Sequence, residues 1–344
     1  MAKKKITKEN IFQIIGIAVA LIAFIFAAIA VSKMVNKPST DESETTTYSR
    51  PTQKMPTLLF DGKQYQMKDN LEVILIMGID EREEIGNANS YINSSQADVL
   101  YVYVIDHEAK SYQALQLNRD TITGVQTYTA NGMKDSVIPM QICLSHSYGK
   151  TDEGRCLNTA DAVSGLLFDI PIDHYISLNM RAISVLNDQV GGVTVTVPAG
   201  LETADPAFVE GNSVKLQGDQ AEKFVRSRMS LDNDTNEFRM ERQQIFMSNW
   251  KKQAYDKMNA DSGFAMNLVF ALSDYMVSDM TANKLSDLAN QLKEYEDLGT
   301  VKTEGETKEP GAGQEFRQYI VDTDDLQRKV IDIFYEEAKD DSEG

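Results

Sequence analysis

Cysteine, histidine and tryptophan are scarce in this chain: two, three and one among 344 residues. Two thiols alone do not make a zinc or iron–sulfur site. His107, His146 and His174 lack the spacing of metal ligands and read as structural or exposed residues. Positive charge is also in short supply, with 34 Lys and Arg against 52 Asp and Glu and a net charge of −18. Nucleic acid calls for a broad basic face, and the sequence offers none.

Against that acidic background, six of the eleven arginines fall in a few short segments with acidic neighbours: Arg82, Arg119, Arg226, Arg228, Arg239 and Arg242. Arginine presents a planar, permanently charged fork that grips phosphate oxygens in pairs. Arginine gathered this way in an acidic chain points to a phosphorylated ligand. Each feature also has a plain structural reading. Arg–Asp neighbours are often surface ion pairs of little value, and an Asp at a strand end is often a turn or cap. Arg226 and Arg228 share a face only in extended chain, whereas Arg239 and Arg242 share a helix face, on which Glu237 and Glu241 fit a solvated surface as well.

Ile11 to Val31 runs 21 residues without a charge. At about 1.5 Å per residue such a helix crosses a bilayer core of roughly 30 Å. Lys3, Lys4, Lys5 and Lys8 precede it, which puts residues 1–10 in the cytoplasm and the rest of the chain outside the cell membrane. Ala28-Ile29-Ala30 resembles a cleavage site, but the run is longer than the usual signal-peptide core, so the segment reads as an uncleaved anchor. Residues 32–57, rich in Ser, Thr, Pro and Glu, read as a mobile tether. A single domain is expected over 58–339, followed by an acidic tail, 340–344.

Within that domain, Leu58 to Tyr65 reads as a hairpin turning at Asp61-Gly62. Short apolar runs at Glu72–Gly78, Val99–Ile105 and Tyr112–Leu117 suit buried strands, with a polar loop at Asp106–Lys110. Strands are also expected at His174–Leu178, Val193–Val197 and Phe316–Val321. Helices are expected at Thr159–Leu167, capped by Asn158 or Thr159, then at Met180–Val190, Gly218–Arg226, Glu237–Met258, Phe264–Val277, Ala282–Tyr295 and Asp324–Ala338. The fold class is α/β, a mixed central sheet covered by helices on both faces. Such sheets place ligands beyond the carboxyl ends of central strands, where Asp80 and Arg119 fall. Both cysteines lie in the part placed outside the membrane, so pairing of Cys143 with Cys156 is expected.

Several stretches, in this order and behind an anchor, resemble the LytR–CpsA–Psr family. They are Leu75 to Arg82, Ala97-Asp98-Val99-Leu100, Leu117-Asn118-Arg119-Asp120-Thr121, Ile172 to Tyr175, Val190 to Val195, and Ala221 to Gln244 with its paired arginines and Arg242-Gln243-Gln244. The resemblance spans roughly Glu72 to Trp250. It departs from the family at Gln96 and Ala97, where many members carry Arg before the second Asp, and at Gln141 to Gly149.

The resemblance implies a membrane-anchored, extracytoplasmic transferase. It would move a glycopolymer, such as teichoic acid or capsule, from a polyprenyl-pyrophosphate carrier to a peptidoglycan hydroxyl through a phosphodiester. Asp80 and Asp98 become the candidate ligands for Mg²⁺, or Mn²⁺ in its place. Arg82, Arg119, Arg226, Arg228, Arg239 and Arg242 become the pyrophosphate contacts, and Gln243 orients a phosphate oxygen. Asp234 becomes the base for the acceptor hydroxyl, with Asp232 close beside it, and Arg119 and Asp120 join it as catalytic candidates. Two alternatives stay open: a non-catalytic protein that holds lipid-linked wall polymer, and a polyprenyl-pyrophosphate pyrophosphatase in which water replaces the acceptor.

Overall fold

The computed structural model describes residues 57–338 apart from 81–94, 130, 228–235, 262–263, 282–283, 285–287, 289–290, 293–294 and 311–315. The apolar run 11–31, the tether up to residue 56 and the acidic tail 340–344 lie outside the described residues. Among the described residues, no helix is long and apolar enough to cross a membrane.

Strands β1 (Thr57–Phe60) and β2 (Lys63–Met67) form the expected hairpin. Asp61 and Gly62 both have positive φ, at 49° and 76°, which is what a two-residue turn matching the strand twist requires. The central sheet is built from β3 (Leu71–Ile79), β4 (Ala97–Asp106), β5 (Ser111–Leu117), β8 (His174–Asn179), β11 (Met276–Ser278) and β12 (Glu296–Lys302). Its order is β11-β8-β3-β4-β5-β12. The β3–β8 and β5–β12 pairs are parallel and the others antiparallel. The expected mixed sheet is therefore present, and β3 and β4 occupy its middle.

Alternation along β3 sends side chains to two cores. Ile74 and Ile76 join Tyr101, Tyr103 and Ile105 on one face, while Val73, Leu75 and Met77 join Leu100, Val102 and Val104 on the other. Each fully buried aliphatic side chain contributes about 1.5–3 kcal/mol relative to exposure, so a register slip in β3 would be costly. The first face is covered by α2 (Arg181–Gln189), α3 (Gln220–Arg226), α4 (Asn236–Ala260) and α5 (Phe264–Leu272); the second by α1 (Asp152–Leu166) and α6 (Thr323–Phe334). Trp250, fully buried on α4, donates its indole N–H to the Leu186 carbonyl on α2 at 2.6 Å. Gly192 ends α2 with φ of 99°, and a Cβ there would meet the Leu216 carbonyl oxygen at 2.6 Å. Only glycine fits that turn into β9 (Thr194–Thr196), which pairs with β10 (Ser213–Lys215).

Three boundaries differ from the sequence expectation. The helix expected over Asp324–Ala338 ends at Phe334, because Tyr335–Glu337 pair with β2 as a strand. Helix α1 begins at Asp152, seven residues before Thr159, because Thr151 caps it by accepting from the Gly154 N–H at 3.0 Å. Asn158 and Thr159 lie buried inside the helix instead of capping it. Helix α5 ends at Leu272, and the last part of the expected helix is β11, drawn into an antiparallel edge against β8.

The chain following Arg119 and Asp120 was not anticipated as structure. It forms a ribbon of β6 (Ile122–Tyr128) and β7 (Lys134–Gln141), then a 3₁₀ helix over Ile142–Ser147. A second ribbon, β13 (Gly305–Lys308) with β14 (Gln318–Val321), touches the first through a parallel bridge between Thr121 and Tyr319. Strand β15 (Tyr335–Glu337) closes the chain against β2.

Candidate functional site

One end of the middle strands collects several of the charged residues singled out by sequence. Asp80 follows the end of β3, Asp98 sits at the start of antiparallel β4, and Arg119 and Asp120 follow the end of β5. Topology alone brings these three chain positions together. The Asp80 N–H donates to the Gln96 carbonyl at 2.9 Å, which ties the two strand ends.

Arg119 is the hub. Its Nη1 donates to Asp98 Oδ1, and its Nε lies 3.3 Å from Asp120 Oδ1. Its Nη2 donates to Gln96 Oε1 at 2.5 Å and to Cys143 Sγ at 3.2 Å. Burial works against the charge of Arg119, but the sulfur of Cys143 and the carboxylates of Asp98 and Asp120 outweigh it, so its pKa is raised. Burial raises the pKa of Asp120, opposed by Arg119 and Arg239. Asp120 Oδ1 also accepts from Gln141 Nε2 at 2.9 Å, and the same amide donates to the Arg317 carbonyl at 2.8 Å.

Two more arginines reach the same end from helices. Arg226, the last residue of α3, donates through Nη2 to Asp80 and through Nη1 to Glu222 Oε1 at 2.8 Å, one turn back. Arg239, in the first turn of α4, places Nη1 3.6 Å from Asp98 Oδ2. Asp98 thus answers arginines from two elements.

Arg242 has a different task from the one expected of it. It is buried, its Nε donates to the Phe224 carbonyl at 2.9 Å and its Nη2 to the Ser227 carbonyl. It satisfies the carbonyl end of α3 and so fixes the helix terminus that carries Arg226. Gln243 is half-buried beside it on α4, and Gln244 Nε2 donates to Gln116 Oε1 at 3.3 Å. Arg82, Arg228 and Asp234 lie outside the described residues.

The expected disulfide is not formed: Cys143 and Cys156 are both free and buried. Their sulfurs point to different partners. Cys143 faces Arg119 and Gln96 at the strand ends, whereas Cys156, on α1, lies 3.7 Å from His146 Nε2. Burial pushes both thiols up to about 12, so each is a neutral S–H at pH 7. His146 is forced down to about 3 by burial and by the charge of Arg155, and is neutral as well.

Asp80 and Asp98 offer the hard carboxylate oxygens that Mg²⁺ takes, usually one or two per ion alongside substrate phosphate. Among the described residues, no three or more His, Cys, Asp or Glu converge as a metal cage. A cation held by these two carboxylates would need further oxygen ligands from substrate phosphate or water.

A second charged cluster lies at the opposite ends of the inner strands. Buried Glu72 sits between His107 Nε2 at 3.0 Å, Lys284 Nζ at 3.2 Å and His174 Nε2 at 3.6 Å. His174 accepts from Lys284 at 2.6 Å and meets Asp279 Oδ2 at 3.1 Å through its other ring nitrogen. The two histidines are structural, joining strand ends to β11 and to Lys284.

A mixed α/β domain with arginines and carboxylates interleaved at one end of its middle strands is the class that fold and site define. The chain belongs to the LytR_cpsA_psr family, whose profile matches residues 30–330. It is 32% identical over 155 residues to the polyisoprenyl-teichoic acid–peptidoglycan teichoic acid transferase TagU of Halalkalibacterium halodurans, covering 45% of this chain and 44% of the relative. It is 25% identical over 240 residues to TagU of Bacillus cereus strain AH820, covering 70% and 69%. The chain thus matches less than half the length of the first relative and about two thirds of the second. Protein gbs0355 of Streptococcus agalactiae has the same fold, with a TM-score of 0.58, 20% identity and coverage of 76% of this chain and 87% of that one.

Proposed function

We propose that this protein is a membrane-anchored, extracytoplasmic phosphotransferase. In this reading it moves a glycopolymer from a polyprenyl-pyrophosphate carrier onto a peptidoglycan hydroxyl, leaving a phosphodiester. The observation that carries the reading is the convergence of Arg119, Arg226 and Arg239 with Asp80, Asp98 and Asp120 at one end of the middle strands. The names of the TagU relatives support the substrate class.

The acceptor oxygen bonds to the phosphorus that carries the glycan. The bridging P–O bond of the pyrophosphate breaks, and polyprenyl phosphate leaves. The hydroxyl proton passes to a carboxylate, for which Asp234 is the proposed base. Such a reaction needs little covalent help; it needs charge held still around the phosphoryl oxygens. Arg119 is fixed from three sides and Arg226 from two, so neither has to be ordered as the substrate arrives. Asp80 and Asp98 would hold Mg²⁺, which supplies charge neutralisation on the pyrophosphate.

The test uses the full-length chain with a polyprenyl-pyrophosphate oligosaccharide and peptidoglycan fragments, with Mg²⁺ or with chelator, followed by mass spectrometry. Magnesium-dependent glycan on the acceptor through a phosphodiester is the expected result. Carrier binding without reaction would turn the reading to a holding protein. Release of phosphorylated glycan that never reaches the acceptor would turn it to a pyrophosphatase.

A further inference from the structure

The four partners of Arg119 are of two kinds. Nη1 and Nε face the carboxylates of Asp98 and Asp120, while among the described residues Nη2 faces two neutral groups, the Gln96 amide oxygen at 2.5 Å and the Cys143 sulfur at 3.2 Å. Cys143 Sγ in turn lies 3.9 Å from Gln96 Oε1, so the two neutral partners touch each other. Arg119 is ionised, so all its hydrogen bonds are charge-assisted, but only those to Asp98 and Asp120 add the attraction of a full opposite charge. An arriving phosphate oxygen therefore competes poorly for the nitrogens held by carboxylate and well for the one held by amide and thiol.

We infer that Gln96 and Cys143 are positioning residues that occupy the phosphate-receiving nitrogen of Arg119, and that they give it up when pyrophosphate binds. The inference rests on the phosphotransferase reading above and adds to it which nitrogen of Arg119 meets the substrate. The two carboxylates fix the plane of the guanidinium. The neutral pair keeps Nη2 hydrogen-bonded until pyrophosphate arrives, without holding it there against an anion. Gln96 is the more telling of the two, because one atom converts its neutral acceptor into a charged one of the same shape.

That substitution separates the inference from a merely structural role. If Gln96 only steadied Arg119, Gln96→Glu would steady it better, and pyrophosphate would bind as well or more tightly. If Gln96 yields to phosphate, Gln96→Glu locks Nη2 and adds repulsion, while Gln96→Leu removes the competitor. The experiment is calorimetric titration of inorganic pyrophosphate into the detergent-solubilised full-length protein and both variants, with melting curves for each.

The expected order of affinity is Leu above Gln above Glu at position 96, with Gln96→Glu weaker than the parent by at least about tenfold, the scale of one charge-assisted contact. Cys143→Ser, which keeps a neutral acceptor, should stay within about threefold of the parent, whereas Cys143→Asp should weaken binding as Gln96→Glu does. The order Glu at or above Gln above Leu overturns the inference and leaves the phosphotransferase reading standing. A parent protein that binds no pyrophosphate overturns both. If Gln96→Glu does not fold, Gln96→Leu decides alone: looser binding than the parent overturns the inference.

Discussion

Asp98 holds Arg119 through one carboxylate oxygen and faces Arg239 at 3.6 Å through the other. One side chain thus joins a strand exit to the first turn of a helix 120 positions further along the chain. Removing it takes away the carboxylate that the two guanidinium groups share and leaves Asp120 as their acidic neighbour. We expect Asp98→Ala to lower turnover by at least about 100-fold, the scale seen when a preorganised charge is lost from a reaction centre. Asp98→Asn, with the same shape, should fold and also be impaired. Turnover at the parent's rate in a folded Asp98→Asn protein would remove Asp98 from the site.

Arg242 gives a different expectation, because its partners are backbone carbonyls of α3. Arg242→Ala leaves the Phe224 and Ser227 carbonyls without their charged donor. The expected loss is about 2–4 kcal/mol, read as a shift in the urea midpoint at constant slope. Lysine should not restore it, since one ammonium cannot reproduce the two directions of the guanidinium fork. Unchanged stability with lost pyrophosphate binding would return Arg242 to the phosphate contacts.

Glu72 sets a pH dependence. Burial acts against its charge, but His107 and Lys284 more than compensate, and its pKa is lowered from 4.5. A carboxylate held below its unfolded value stabilises the fold above that value, and the contribution is lost as pH falls toward the folded pKa. Melting temperature should therefore fall as pH drops below 4.5, and Glu72→Gln should flatten that part of the profile. An equally steep profile in Glu72→Gln would assign the acid sensitivity to other carboxylates.

The thiols can be counted. Cys143 and Cys156 are free and buried, so a thiol reagent should react slowly with the native protein and fully with protein unfolded in guanidinium without reductant. Absence of thiol titre in the unfolded, unreduced protein would restore the disulfide.

Much of the sheet was legible because β3, β4 and β5 are short apolar runs between polar turns, and burial on both faces demands such runs. The end of α5 was not, because Met276 and Val277 are as apolar as the helix before them, and only pairing with β8 makes them strand. Strand β13 was invisible for the opposite reason: Gly305–Lys308 is exposed throughout and carries no alternation. At the site, Asp80 and Arg119 could be found from their places past strand ends, and Asp98 from the family resemblance. Gln96 and Cys143 could not be recognised as partners of Arg119, since no local pattern tells that the 3₁₀ helix folds back onto the strand ends. Arg242 had the right residue type and helix face for a phosphate contact, and burial against α3 redirected it.

The Gln141 amide that steadies Asp120 also bonds the Arg317 carbonyl, 176 residues later in the chain, and the Tyr319 N–H donates to the Asp120 carbonyl at 2.8 Å. A polypeptide is made from its amino end, and its early segments begin to fold first. Arg119 and Asp120 therefore emerge long before the residues that hold their loop in place. A chain interrupted before Gln318 therefore lacks the Tyr319 N–H that the Asp120 carbonyl accepts from in the finished fold.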